Sequence, residues 1–187
     1  MTHPCLAAAR FALPALLLLA APASAQGLPD SFVTGPRIEG YGPAAPVDQD
    51  NPVEAGEEFR HSFDISAGSE PGELNRGLVT AARFLNMHAA SGARDQDVTV
   101  ALVVHGDALA SLLKTDSYAS RFDGLDNPNA PLVAALIAES ISIQVCGQSA
   151  ESQGFAREEF LPGVEMALSA MTAHARLQRD GYTLNPF

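Results

Sequence analysis

The sequence predicts an α/β fold, a mostly parallel five-stranded sheet with helices on both faces. Two observations carry that expectation. Short apolar runs suited to strands alternate along the chain with segments of helical period. The central runs, "VTVALVV" at 98–104 and "ISIQV" at 141–145, are nearly continuous and rich in β-branched residues, the pattern of strands covered on both sides.

The elements follow in order. Residues 26–58 are rich in Gly, Pro and acids and have no period. They read as a linker, or as an extended arm that packs along the domain or a neighbouring subunit. "RHSFDI" at 60–65 alternates and reads as a strand. A helix is predicted over 74–90, because Leu78, Ala81, Ala82, Leu85 and Ala89 recur at helical spacing while Arg76, Arg83 and Asn86 fall largely off that stripe. Ser91-Gly92 ends it. After the strand 98–104, His105-Gly106-Asp107 breaks the run and "ALASLL" begins a helix. A polar loop is expected over 114–129, then a helix over 130–140 and a strand over 141–145 that ends at Cys146-Gly147. A short helix follows from about Ser149 to Ser152. Leu161-Pro162-Gly163 is a turn and "VEMAL" at 164–168 a short strand. Ser169 suits the N-cap of a helix over 170–179, Gly181 closes it, and "YTLNPF" is a last short strand. No internal repeat is visible.

The N-terminus carries a different signal. One basic side chain and no acid precede an apolar run at 11–23 that only Pro14 and Pro22 interrupt, and Ala23-Ser24-Ala25 follows. That is the layout of a cleavable export signal, 1–25, cut after Ala25; the apolar run is shorter than the roughly 20 residues of a spanning helix. The expected location is periplasmic or secreted. The domain proper is then 59–187. The chain of 187 residues has a formal net charge of −11, and loss of Arg10 with the signal makes the remainder more acidic still. An acidic surface without Trp disfavours nucleic acid and anionic lipid, and no segment after the signal suits a membrane. Cleavage also removes Cys5 and leaves Cys146 as the single cysteine, so an internal disulfide is impossible and the thiol is buried, paired between chains, or chemically employed.

In an open parallel sheet, sites gather beyond the carboxyl ends of the strands. Two predicted strand ends carry reactive side chains, His105-Gly106-Asp107 and Cys146-Gly147, and Cys146 stands ahead of a predicted helix whose free N–H groups would favour its thiolate. Cys146 and His105 are therefore the candidate catalytic residues, and Gly106, Asp107 and Gly147 the candidate substrate-binding residues. Each has a plainer alternative: Cys146 as a small buried apolar residue, His105 as a loop residue closing a strand, Asp107 as an N-cap instead of an orienter of His105. No nucleophile elbow, phosphate loop or dinucleotide fingerprint is present. His61, His88 and His174 lie in different elements without metal-ligand spacing and are read as structural or surface residues. No cofactor and no metal are expected.

The pieces "VALVVHGDALASLL", "ISIQVCGQSA", "LPGVEMALSA" and "LQRDGYTLNPF", in this order, make the chain from Phe63 to Phe187 resemble the DsrE/DsrF-like family, also described as the YchN-like fold. The resemblance implies a three-layer α/β/α sandwich and a homo-oligomer. It further implies, as in some family members, a relay in which a cysteine carries sulfur as a persulfide to a partner, the carrier position falling on Cys146. In several members Arg-Gly follows that cysteine after six intervening residues, where this chain has Gln153-Gly154. Three readings stay open: an exported thiol or persulfide carrier acting through Cys146, a non-catalytic binding or assembly module with a structural cysteine, and a small-molecule module using the strand-end crevice. Whether the chain catalyses anything is left open by its residues.

Overall fold

A computed structural model describes residues 27–185. Five strands, β1 (Phe59–Ile65), β2 (Val98–Val104), β3 (Ser142–Cys146), β4 (Glu165–Ala167) and β5 (Thr183–Asn185), form one sheet in the order β4-β3-β2-β1-β5. Every pairing is parallel, so the expected α/β sheet is present and is parallel throughout.

The strand order explains where the helices lie. From β1 to β4 the chain steps across the sheet in one direction, and right-handed crossovers put the intervening helices on one face. From β4 to β5 it returns to the far edge in the opposite direction, which puts that crossover on the other face. Accordingly α1 (Arg76–Ala90) and α3 (Ala130–Ala138) pack Leu78, Leu85, Leu132 and Leu136 against Phe63, Leu102, Val104, Ile143 and Val145 in the main core. The crossover helix α5 (Ala170–Arg179) packs Ala173 and Leu177 against Ala101 and Val103. The two faces of β2 thus meet two different cores, which is why its sequence reads as an unbroken apolar run.

Caps and breaks follow their chemistry. The side chain of Asn75 accepts the N–H of Gly77 at 2.9 Å, so α1 begins at Arg76, two residues later than its period suggests. Ser169 caps α5 as expected, accepting the Thr172 N–H at 3.1 Å. The helix expected at "ALASLL" is instead a 3-10 helix, Gly106–Leu112. The expected loop after it contains a one-turn helix, α2 (Thr115–Ala119), anchored by buried Tyr118. The short helix after β3, α4, runs Gly147–Gln153 and starts immediately after Cys146. The expectations for residues 1–25 and for the last two residues of the final strand lie outside the described residues. Among the described residues, no helix is long and apolar enough to cross a membrane.

The segment 27–58 contains no helix or named strand, and it packs on α1. Ile38 is buried in the main core. Asn86, placed off the apolar stripe by its spacing, is fully buried. Its side-chain oxygen accepts the N–H groups of Arg37 and Ile38 at 3.1 and 2.8 Å, and its amide nitrogen donates to the carbonyls of Ile38, Tyr41 and Gly42. A β-carbon on Gly42, at φ +58°, would stand 2.2 Å from the Arg83 backbone nitrogen, so only glycine fits this approach.

Candidate functional site at the carboxyl ends of the strands

Cys146 is the last residue of β3 and the N-cap of α4. It is 5% exposed and is the only free cysteine among the described residues. Burial pushes its thiol up. Against this act the Ser149 hydroxyl and the backbone N–H groups of Ser149, Ala170 and Gln148, and the balance holds the thiol below the ordinary value for cysteine. These donors come from the first turns of two helices, α4 and α5, whose open N–H groups favour an anion. The sheet sets up this convergence: Cys146 pairs in register with Ala167 at the end of β4, so the turn into α5 passes beside the sulfur.

The two expected strand ends do come together. Gly106, at φ +55°, donates its N–H to the Ser149 hydroxyl at 3.3 Å, and Gln153 donates to the Gly106 carbonyl at 2.9 Å. Gln153 therefore clamps the 3-10 helix onto α4. Gly147 serves close packing: a β-carbon there would lie 2.7 Å from the Ala167 carbonyl oxygen. Asp107 is exposed in the first turn of the 3-10 helix, beyond the cap position that His105 occupies.

His105 is directed at a residue that the sequence reading passed over. Its Nε2 lies 3.0 Å from Oδ1 of Asp64, in β1. His174 of α5 brings its Nε2 to the same oxygen at 2.7 Å. Asp64 lies in the alternating strand without standing out from it, and His174 reads as a structural or surface residue. Only the packing of α5 against the sheet brings them together. The signal in the sequence was the single acid of the first strand, at its penultimate position, on the face that His105 extends.

Next to Asp64 a crevice of about 430 Å³ opens between β1 and α1, with Ser66, Arg76 and Thr80 on its walls. A larger cavity, about 640 Å³, lies at the amino end of β1 between the arm, Phe59 and His88, at the opposite end of the strands from Cys146. Among the described residues, no group of three or more His, Cys, Asp or Glu side chains is arranged to hold a metal ion.

Comparison with known proteins agrees with this architecture. Over 70% of this chain and the whole of its own length, the protein of unknown function MTH1491 from Methanobacterium thermoautotrophicum superposes with a TM-score of 0.54 at 18% identity. The ychN protein from E. coli superposes over 69% of this chain and 99% of its own, with a TM-score of 0.51 at 13% identity. At these identities the likeness is one of fold. No curated protein sequence matches the chain. The family model described as DsrE/DsrF-like matches residues 66–186, a span that takes in His105, Cys146, Ser149 and His174, and the chain belongs to that family.

Proposed function

We propose that this protein is an exported thiol or persulfide carrier that accepts and passes on sulfur through Cys146. The observation that supports this most directly is the convergence of the Ser149 hydroxyl and three backbone N–H groups on one thiol, which lowers its pKa despite burial. A thiolate is the nucleophile of sulfur exchange, and the same donors suit the anionic outer sulfur of a persulfide. Membership of a family associated with sulfur relay agrees with this chemistry. Export is supported by the signal-like residues 1–25, and an exported donor and acceptor would then be its partners. The test is incubation of the mature protein with a small persulfide, followed by intact mass. Wild type gains one sulfur atom and Cys146→Ser gains none while keeping its fold and assembly; loading that survives Cys146→Ser refutes the proposal.

One observation favours a second reading, an assembly module with a structural cysteine. Leu168 and Met171, at the turn beside Cys146, are 70% and 80% exposed, an apolar pair at a free sheet edge that suits a contact between copies of the chain. Light scattering on wild type and on Leu168→Glu/Met171→Glu separates the readings. If the double variant loses assembly and Cys146→Ser changes nothing, the second reading holds.

A further inference from the structure

Neighbouring strands end together at the carboxyl edge of the sheet and carry titratable side chains onto the face that α5 covers. Asp64 of β1 stands in register with Val103 of β2, and Val103 with Gln144 of β3, so these three share one face. His105 is extended (φ −149°, ψ −178°) and its N–H still bonds the Ile65 carbonyl at 2.9 Å. The alternation of β2 therefore runs on through His105, placing its side chain on the face of Val103 and Asp64. Two residues beyond Gln144, Cys146 is on that face too. His105 and Cys146 each follow directly on the last registered pair, Val104 and Val145, on adjacent strands spaced about 5 Å apart.

The bonds to Asp64 assign the ring nitrogens. An ionised carboxylate only accepts, so both His105 and His174 donate Nε2–H to Oδ1. His174 is then left with a buried Nδ1 that has no partner. Its Nε2–H bond to Oδ1 fixes the carboxylate. The His105 side chain is 30% exposed, and its Nδ1 is the nitrogen left for chemistry.

We propose that Asp64 is a positioning residue that orients His105 to exchange protons with Cys146, with His174 holding Asp64 in place. This rests on the reading of Cys146 as a sulfur acceptor. In the step, the Cys146 thiol gives its proton to Nδ1 of His105 and its sulfur attacks the outer sulfur of a donor persulfide, R–S–SH. A bond forms between the two sulfurs and the donor's S–S bond breaks. The departing R–S⁻ takes the proton from His105. The products are Cys146–S–SH and R–SH, with no net oxidation. Asp64 stays ionised and stabilises the imidazolium formed midway.

The experiment uses the mature protein, glutathione persulfide as donor, and two readouts. One is the loading rate by intact mass; the other is the pH–rate profile of Cys146 alkylation by iodoacetamide. The titratable and charged groups around His105 are Asp64 from β1, Cys146 from β3, His174 from α5 and the adjacent Asp107, with Arg76 of α1 across the crevice from Asp64. His105→Gln is expected to slow loading by about 100-fold or more, Asp64→Asn to slow it as well, and the double variant to be no slower than His105→Gln. Asp64→Asn should also shift the His105-dependent part of the alkylation profile, which His105→Gln removes. Wild-type loading by Asp64→Asn with an unshifted profile overturns the proposal, as does a double variant slowed by the product of the two single effects. If wild type takes up no sulfur, the carrier reading fails, and the alkylation profiles alone decide whether Asp64 acts through His105. Should Asp64→Asn fail to fold, His174→Gln replaces it: a shifted profile supports the proposal and an unshifted one overturns it.

Discussion

Gly106 donates its backbone N–H to the Ser149 hydroxyl at 3.3 Å, and so joins the end of β2 to the helix that begins beyond Cys146. Because this N–H occupies the hydroxyl oxygen, the hydroxyl's own proton is free to turn toward the sulfur. Ser149→Ala removes that proton from the set that lowers the Cys146 thiol. Alkylation of Cys146 at pH 7 is expected to slow by about tenfold, the equivalent of one charge-assisted hydrogen bond of roughly 1.5 kcal/mol. An unchanged rate would leave the backbone N–H groups alone as the cause of the lowered pKa.

Asn86 makes a different kind of connection. Its side chain meets backbone groups from Arg37 to Gly42 and so ties the arm to α1. Asn86→Ala leaves those buried groups unpaired, at a cost of about 2–4 kcal/mol. The melting temperature should fall, and limited proteolysis should cut between residues 27 and 58 before it cuts the sheet. Simultaneous cleavage of both regions would show that the arm and the sheet unfold as one unit.

His61 adds a pH dependence remote from the site. Its ring stacks on Phe84 with centroids 5.0 Å apart, and its Nε2 is buried without a partner. Burial first, and the neighbouring His88 second, push its pKa below the ordinary 6.5. The unfolded chain then takes up a proton that the native ring resists, so stability is full above about pH 6.5 and is lost as pH falls toward the native value. Melting temperatures measured from about pH 7 down to about pH 5 should fall more steeply for wild type than for His61→Gln. Parallel curves would remove His61 as a source of acid sensitivity.

The parts of this molecule that were legible in its sequence are those set by local pattern. β2 reads as a doubly covered strand because both its faces meet apolar cores, and Cys146 stands out as a thiol between a strand and a glycine. What stayed hidden depends on partners far along the chain. Asn86 reads as a surface residue because its partners are backbone groups more than forty residues away. Asp64 reads as the polar half of an alternation because His105 and His174 approach it from 41 and 110 residues away. The "ALASLL" segment has helical composition but forms a 3-10 helix, and the pairing of Leu113 with Phe160, distant in sequence, lies just beyond its end.

Gly147 shows how closely the reactive sulfur depends on packing. Its Cα faces the Ala167 carbonyl so closely that an added methyl group would sit 2.7 Å from that oxygen, with the Leu168 carbonyl 3.4 Å away. Both are backbone atoms, so Gly147→Ala has to push β4 outward. That weakens the pairing of Cys146 with Ala167 and draws the start of α5, with the Ala170 N–H, off the thiol. Overpacking of this kind costs about 1–3 kcal/mol, and the thiol pKa should rise as a stabilising donor is lost. The expected result is a lower melting temperature together with slower alkylation of Cys146 at neutral pH. A variant that is destabilised but alkylates at the wild-type rate would show that α5 contributes nothing to the thiolate and that the donors of α4 suffice.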